Sequence, residues 1–99
     1  MARFEVFRSK SDSLLLLDLQ SSFLDDLKTR IVVPLYPASE MTWTFSRLTP
    51  RFAIGDQTYV MATQRLAAVE LSELREKIAD LSVYADEIIA ATDFLFQGY

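Results

Sequence analysis

Few side chains in this sequence could do chemistry, and their types narrow the field quickly. Neither cysteine nor histidine occurs among the 99 residues. That excludes a disulfide framework and a thiolate nucleophile, and removes the usual metal ligand, general base and pH switch. Carboxylates and guanidiniums remain. Asp25-Asp26 and Asp86-Glu87 are adjacent acid pairs, but such pairs are far more often solvated surface charge or helix-start charge than a site. Thr29-Arg30 precedes one apolar run and Arg51 precedes another. An Arg beside a hydroxyl or an acid can act on a phosphodiester, so Thr29-Arg30 is the best enzymatic candidate. The commonplace alternative is an ion pair at a strand end. No Gly-rich phosphate loop and no nucleophile–base pair is present. The sequence therefore predicts no catalytic residue, no metal and no cofactor.

Aromatic side chains are the other functional candidates. Tyr36 and Trp43 could bind a ligand, though each is more often partial core, and Met61 beside Tyr59 reads as a gap-filler. The tail "EIIAATDFLFQGY" differs, because termini fray unless something ties them down. Phe94, Leu95, Phe96 and Tyr99 crowd its last turns. Aromatic residues interleaved with polar ones at a helix end have the character of interface anchors. Phe94 and Phe96 are assigned mainly to packing.

Composition sets the frame around these residues. A chain of this length reads as one domain spanning 1–99 with a single modest core. At 51% hydrophobic and 12% aromatic it carries more apolar surface than so small a domain can bury, which predicts a homodimer or another partner. The net charge of −4 provides no overall basic field to recruit nucleic acid. Arg3, Arg8 and Lys10 are the densest basic cluster. The longest apolar run, Leu14 to Leu17, is too short to span a bilayer, and "MARFEVFRSKSD" lacks a signal-peptide core. The expectation is a cytoplasmic protein with no membrane partner.

The elements that must position these groups follow from periodicity. "RFEVFR" alternates as a strand, with Phe4 and Val6 on one face and Arg3, Glu5 and Phe7 on the other; "SKSDS" is its turn. "LLLLDLQ" fits a strand buried on both faces or a helix fragment, and the flanking turns favour the strand. "TRIVVPLYP" is β-branched, with Pro34 pointing to a sheet edge or a bulge. From Ala38 to Phe45 the signals are mixed, a short helix or loop. "RFAIGDQTYVM" predicts a hairpin turning at Gly55-Asp56, where a backbone with φ > 0 suits glycine. "ATQRLAAVEL" continues irregularly. "SELREKIADL" is helical by propensity. The final run is a helix from a Ser82 cap to Gln97, about 24 Å at about 1.5 Å per residue, stopped by Gly98. Tyr84, Ile88, Ala91, Leu95 and Gly98 form one stripe on it, Ile89 and Phe96 a second, Ala90 and Phe94 a third. A helix so short of polar residues is buried on more than one side. Ile88, Ala91 and Leu95 are the candidate dimer-interface residues.

The order of these segments resembles the CcdB family, the toxin half of a bacterial plasmid-borne toxin–antitoxin pair. "FEVF" matches its first strand and "LDLQS" its D-V-Q-S segment. "LKTRIVVPL" is similar to its T/R-R-x-V-I-P-L strand. "IGDQTYVMATQRLAAV" resembles its hairpin followed by M-x-T-x-x-M-A-x-V, with Leu66 at the second Met. "IADLS" and "EIIAATDFLFQGY" match its close. The resemblance implies a mainly β fold with a C-terminal α-helix, a small SH3-like β-barrel, paired as a homodimer through the sheet and helix region. It also implies a strand near Val69 to Leu71 with a loop after it, in place of the helix that propensity favours there. Its implied activity is binding, not catalysis. Family toxins bind the A subunit of DNA gyrase and trap the cleaved-DNA complex, and an antitoxin's disordered C-terminal segment releases them. DNA is met only through gyrase or the antitoxin. The gyrase-contacting tip corresponds to Gln97, Gly98 and Tyr99; the best-known members end Trp-Gly-Ile, so Gln97 stands where they carry a stacking Trp. Two alternatives stay open: an endoribonuclease toxin of the MazF/Kid type, using Arg30 or Arg51, and a non-toxic module that only binds its antitoxin.

Overall fold

A computed structural model of the chain describes residues 2–11, 14–41 and 44–99. These hold strands β1 (Glu5–Ser9), β2 (Leu15–Asp18), β3 (Thr29–Pro37), β4 (Arg51–Ile54), β5 (Gln57–Met61), β6 (Ala67–Glu70) and β7 (Leu74–Asp80), followed by helix α1 (Ala85–Gln97). The strands join in one antiparallel sheet in the order β4-β5-β3-β2-β1-β7, with β6 also paired to β3. The sheet curls into half a barrel holding 40% of the described residues in strands, the mainly β fold with a C-terminal helix that was expected.

Period-two alternation divides β1 and β2 between two apolar clusters. Val6, Leu15 and Leu17 join Val33, Leu35, Phe52 and Met61 in the larger one, which α1 covers with Ile88 and Ala91. Phe7 and Leu16 point the other way and meet Val32 and Leu74. All four residues of β2 are buried, which accounts for its unbroken run of leucines. Met61 fills a place in the larger cluster, as read from the sequence.

β3 is the spine. It pairs with β2 along one side; along the other it meets β6 over Thr29 to Val32 and β5 over Leu35 to Pro37. Pro34 is therefore neither at a sheet edge nor in a bulge. It sits where β3 changes partners, and there its carbonyl accepts from Ala62 N at 3.0 Å. A residue without an N–H fits inside a sheet at such a junction. The hairpin forms as expected, with Gly55 at φ +61° between β4 and β5.

Three segments differ from expectation. Residues 74–80 are neither helix nor loop but strand β7, antiparallel to β1 with register shifts on either side of Phe7. Pairing with β1 outweighs helix propensity, and the exposed Arg75, Glu76 and Lys77 place charge on an outer strand of the sheet, a known guard against edge pairing. Lys77 also pairs with Glu5 at 2.7 Å. The strand "RFEVFR" begins late, because Phe4 sits at φ 73°. That conformation is uncommon for a bulky residue. Backbone bonds fix it on both sides: Phe4 N donates to Asp18 O and Phe4 O accepts from Leu81 N, each at 2.8 Å. Finally, Ser82 does not cap α1. It opens a 3-10 turn, Ser82–Tyr84, and its own N–H is taken by Asp80 Oδ1 at 2.8 Å. Trp43 and the end of "SKSDS" (Asp12, Ser13) lie outside the described residues, and the 38–45 stretch opens with a 3-10 turn, Ala38–Glu40.

The Asp80 bond carries a pH signature. Donation from the Ser82 backbone holds the Asp80 carboxyl below the usual aspartate value. A depressed carboxyl adds stability that is complete above the unfolded pKa of about 3.9 and is lost as pH falls through the folded value. Asp80→Ala is expected to lower the thermal midpoint at pH 7, with the gap to the parent narrowing as pH falls below the ordinary aspartate range; a gap of equal size at neutral and acid pH contradicts this role.

Candidate functional site

Arg30, the best enzymatic candidate, is committed to the interior. It is 1% exposed, and its guanidinium is forked between Asp18 Oδ2 at 2.5 Å and Asp25 Oδ1 at 2.8 Å, with Asp18 itself 0% exposed. Burial opposes the Arg30 charge, but the hydrogen bonds to Asp25 and Asp18 outweigh it and raise its pKa. A guanidinium held this way has no face left for a phosphodiester, and Thr29 beside it is exposed on the opposite side of the strand. The pairing is an ion pair inside the sheet, not at a strand end. Asp25 is thereby a structural partner, while Asp86 and Glu87 lie exposed in the first turn of α1, where the helix dipole favours negative charge. Arg51 opens β4 with its side chain exposed. Tyr36 Oη accepts from Arg65 Nη1 at 3.0 Å, so its polar end already has a partner.

The helix end has the opposite character. α1 is a continuous run of 13 residues, about 20 Å long. Its first stripe faces the sheet: Ile88 is 1% exposed and Ala91 0%. These two cannot be dimer-interface anchors, because the chain's own core has already taken their surface. Of the three expected interface residues only Leu95, half-buried, keeps a face open. The second stripe divides, with Ile89 packed on the core and Phe96 71% exposed. Phe96 is thus not a packing residue, contrary to expectation. Phe94 is one, its ring lying against Phe45.

α1 ends at Gly98, whose φ of +80° is the left-handed stop that a glycine provides, and Gly98 N donates to Phe94 O at 2.9 Å. Gln97, Gly98 and Tyr99 are all exposed, Tyr99 at 76%. The structure therefore brings the three expected tip residues together with Phe96 on an uncovered helix end.

A second exposed apolar feature escaped the sequence reading. The 3-10 turn Ser22–Leu24 lifts Phe23 to 99% exposure, with Leu24 and Leu27 beside it half open. The turn is held from below. Phe23 N donates to Ser21 Oγ, Gln20 Nε2 donates to Leu24 O at 3.0 Å, and Asp25 holds Arg30. An apolar pair between polar neighbours, "SSFLDD", was the available signal; alternation does not mark it because the turn has no period.

The whole arrangement, from the first strand to the helix stop, matches the family model described as CcdB protein over residues 3–98. The chain belongs to the CcdB family. It is accordingly a toxin of the toxin–antitoxin kind. Among the described residues no helix is long and apolar enough to cross a membrane.

The division between buried and open stripes of α1 has a direct check. Ile88→Ala is expected to cost about 2–5 kcal/mol in urea unfolding, the range for emptying a buried aliphatic site. Phe96→Ser should stay within about 0.5 kcal/mol, as surface changes do. A loss at Phe96 approaching that at Ile88 would mean that its ring is covered in solution.

Proposed function

We propose that this CcdB-family toxin acts by binding the A subunit of DNA gyrase through Gln97, Gly98 and Tyr99, trapping the gyrase–DNA cleavage complex. The cognate antitoxin's disordered C-terminal segment binds the toxin and releases it. One observation carries this reading: the last turn of α1 is left uncovered, with Phe96 and Tyr99 open on a helix whose other side is fixed in the core. Exposed aromatic groups on a rigid element suit a binding inhibitor, since little ordering is lost when the partner docks. Two copies pair through the sheet and helix region, where Leu95 has surface to contribute. The toxin needs no catalytic residue for this work.

Gln97 departs from the Trp of the best-known relatives, and Tyr99 supplies a ring two residues beyond the helix end. A ring stacked on a guanidinium contributes about 0.5–2 kcal/mol. The burial of Arg30 removes the better of the two guanidiniums, Arg30 and Arg51, that an endoribonuclease of the MazF/Kid type would use, and leaves that reading only the exposed Arg51. Gln97 is the one feature that favours a module retaining only antitoxin binding.

Incubating the purified chain with gyrase, ATP and supercoiled DNA is expected to yield linear DNA after detergent and protease. Tyr99→Ala should raise the concentration needed by roughly 2- to 30-fold, the stacking energy expressed as affinity. Absence of linear DNA, with RNA cut instead, replaces this reading by the ribonuclease. Absence of both, with tight binding of an antitoxin peptide, replaces it by the non-toxic module.

A further inference from the structure

The last turn of α1 has no buried residue, yet the reading above asks it to hold a tip in a fixed direction. The turn at residues 45–49 offers the means. This turn is itself fixed to the core. Thr49, 2% exposed, accepts from Phe45 N at 2.9 Å and donates to Phe45 O at 3.0 Å through the same hydroxyl. Leu48 N and Thr49 N both donate to Phe45 O, at 2.8 and 2.7 Å. Leu48 O in turn accepts from the hydroxyl of Thr63, which is fully buried.

From that base two side chains reach the helix. The Phe45 ring lies 5.3 Å from the Phe94 ring, tilted by 37°. The Arg47 guanidinium lies 4.4 Å from the centre of the same ring. Phe94 is one turn before Gly98 and accepts its N–H. An unbroken series of contacts therefore runs from Thr63 and Thr49 through the turn to Phe94, and from Phe94 to the helix stop.

Neither contact is needed for the core. Phe45 is 46% exposed and Arg47 is exposed, and both stand apart from the two buried clusters. A half-exposed aromatic contact and a guanidinium over a ring add little to global stability, but they remove freedom from the one turn that the core does not reach. We propose that Phe45 and Arg47 are positioning residues that bracket Phe94 and fix the direction of the Gln97-Gly98-Tyr99 tip for its partner. The inference rests on the gyrase reading for its consequence, and on the fold alone for the bracket.

The test compares the full chain with Phe45→Ala/Arg47→Ala, and with Arg47→Lys as the conservative variant. Amide exchange is expected to quicken about tenfold at residues 95–98 in the double variant, as local opening becomes easier. Exchange at Ile88 and Ala91 and the thermal midpoint should stay close to the parent. The concentration that yields half-maximal gyrase cleavage should rise with the exchange rate, and Arg47→Lys should stay near the parent in both, because an ammonium keeps a positive charge over the ring face. Unchanged exchange at residues 95–98 overturns the bracket. Faster exchange with unchanged cleavage overturns its positioning role. A parent chain that leaves gyrase untouched overturns the gyrase reading instead, and the exchange result then decides alone whether the bracket exists.

Discussion

A helix laid on a small curled sheet can bury only one stripe, and α1 commits that stripe at Ile88 and Ala91. Everything distinctive about the C-terminal end follows from this limit. With the inner face fixed two turns back, the last turn runs past the larger core and carries Phe96 and Tyr99 into the open. The apolar excess that composition shows therefore reaches the surface in part. Two of its concentrations are the helix end and the Phe23 turn, and large apolar groups held exposed on fixed backbone are what interaction surfaces are made of.

Both surfaces depend on polar groups placed beneath them. Under the Phe23 turn, Arg30 joins β3 to β2 through Asp18 and to the turn through Asp25. Removing one partner of such a pair strands a charge in the interior, at a cost of about 3–5 kcal/mol. The same Arg30 that an enzymatic reading would use as a catalyst is the group that orders this surface. Beside α1, Thr49 and Thr63 perform the equivalent task for the turn at residues 45–49. Arg30, the residue best suited to chemistry in this toxin, is consumed in holding apolar ones in place.

Much of the fold was legible because it rests on local patterns. β3 occupies the stretch read from its β-branched residues, and the hairpin turns at the glycine that permits it. β7 was not legible, since "LREKIAD" favours a helix and becomes a strand only through pairing with β1. The place of Pro34 is hidden for a related reason: a change of strand partner is a fact of topology. At the site, the three tip residues could be located from the end of the helix. Which stripe faces inward could not, because nearly every side of α1 is apolar, and the sequence alone does not separate the buried Ile88 and Ala91 from the open Phe96. The burial of Arg30 was equally hidden, as its partner Asp18 lies twelve positions away on another strand.

The central claim is that the exposed end of α1, and not the sheet, meets the toxin's target. Calorimetric titration of the chain lacking Gln97, Gly98 and Tyr99, against a gyrase A-subunit fragment and separately against an antitoxin C-terminal peptide, tests it most directly. Because none of the three is buried, the shortened chain should fold and bind the peptide as the parent does, with no measurable heat from gyrase. Retention of gyrase binding by a folded, shortened chain would contradict the account.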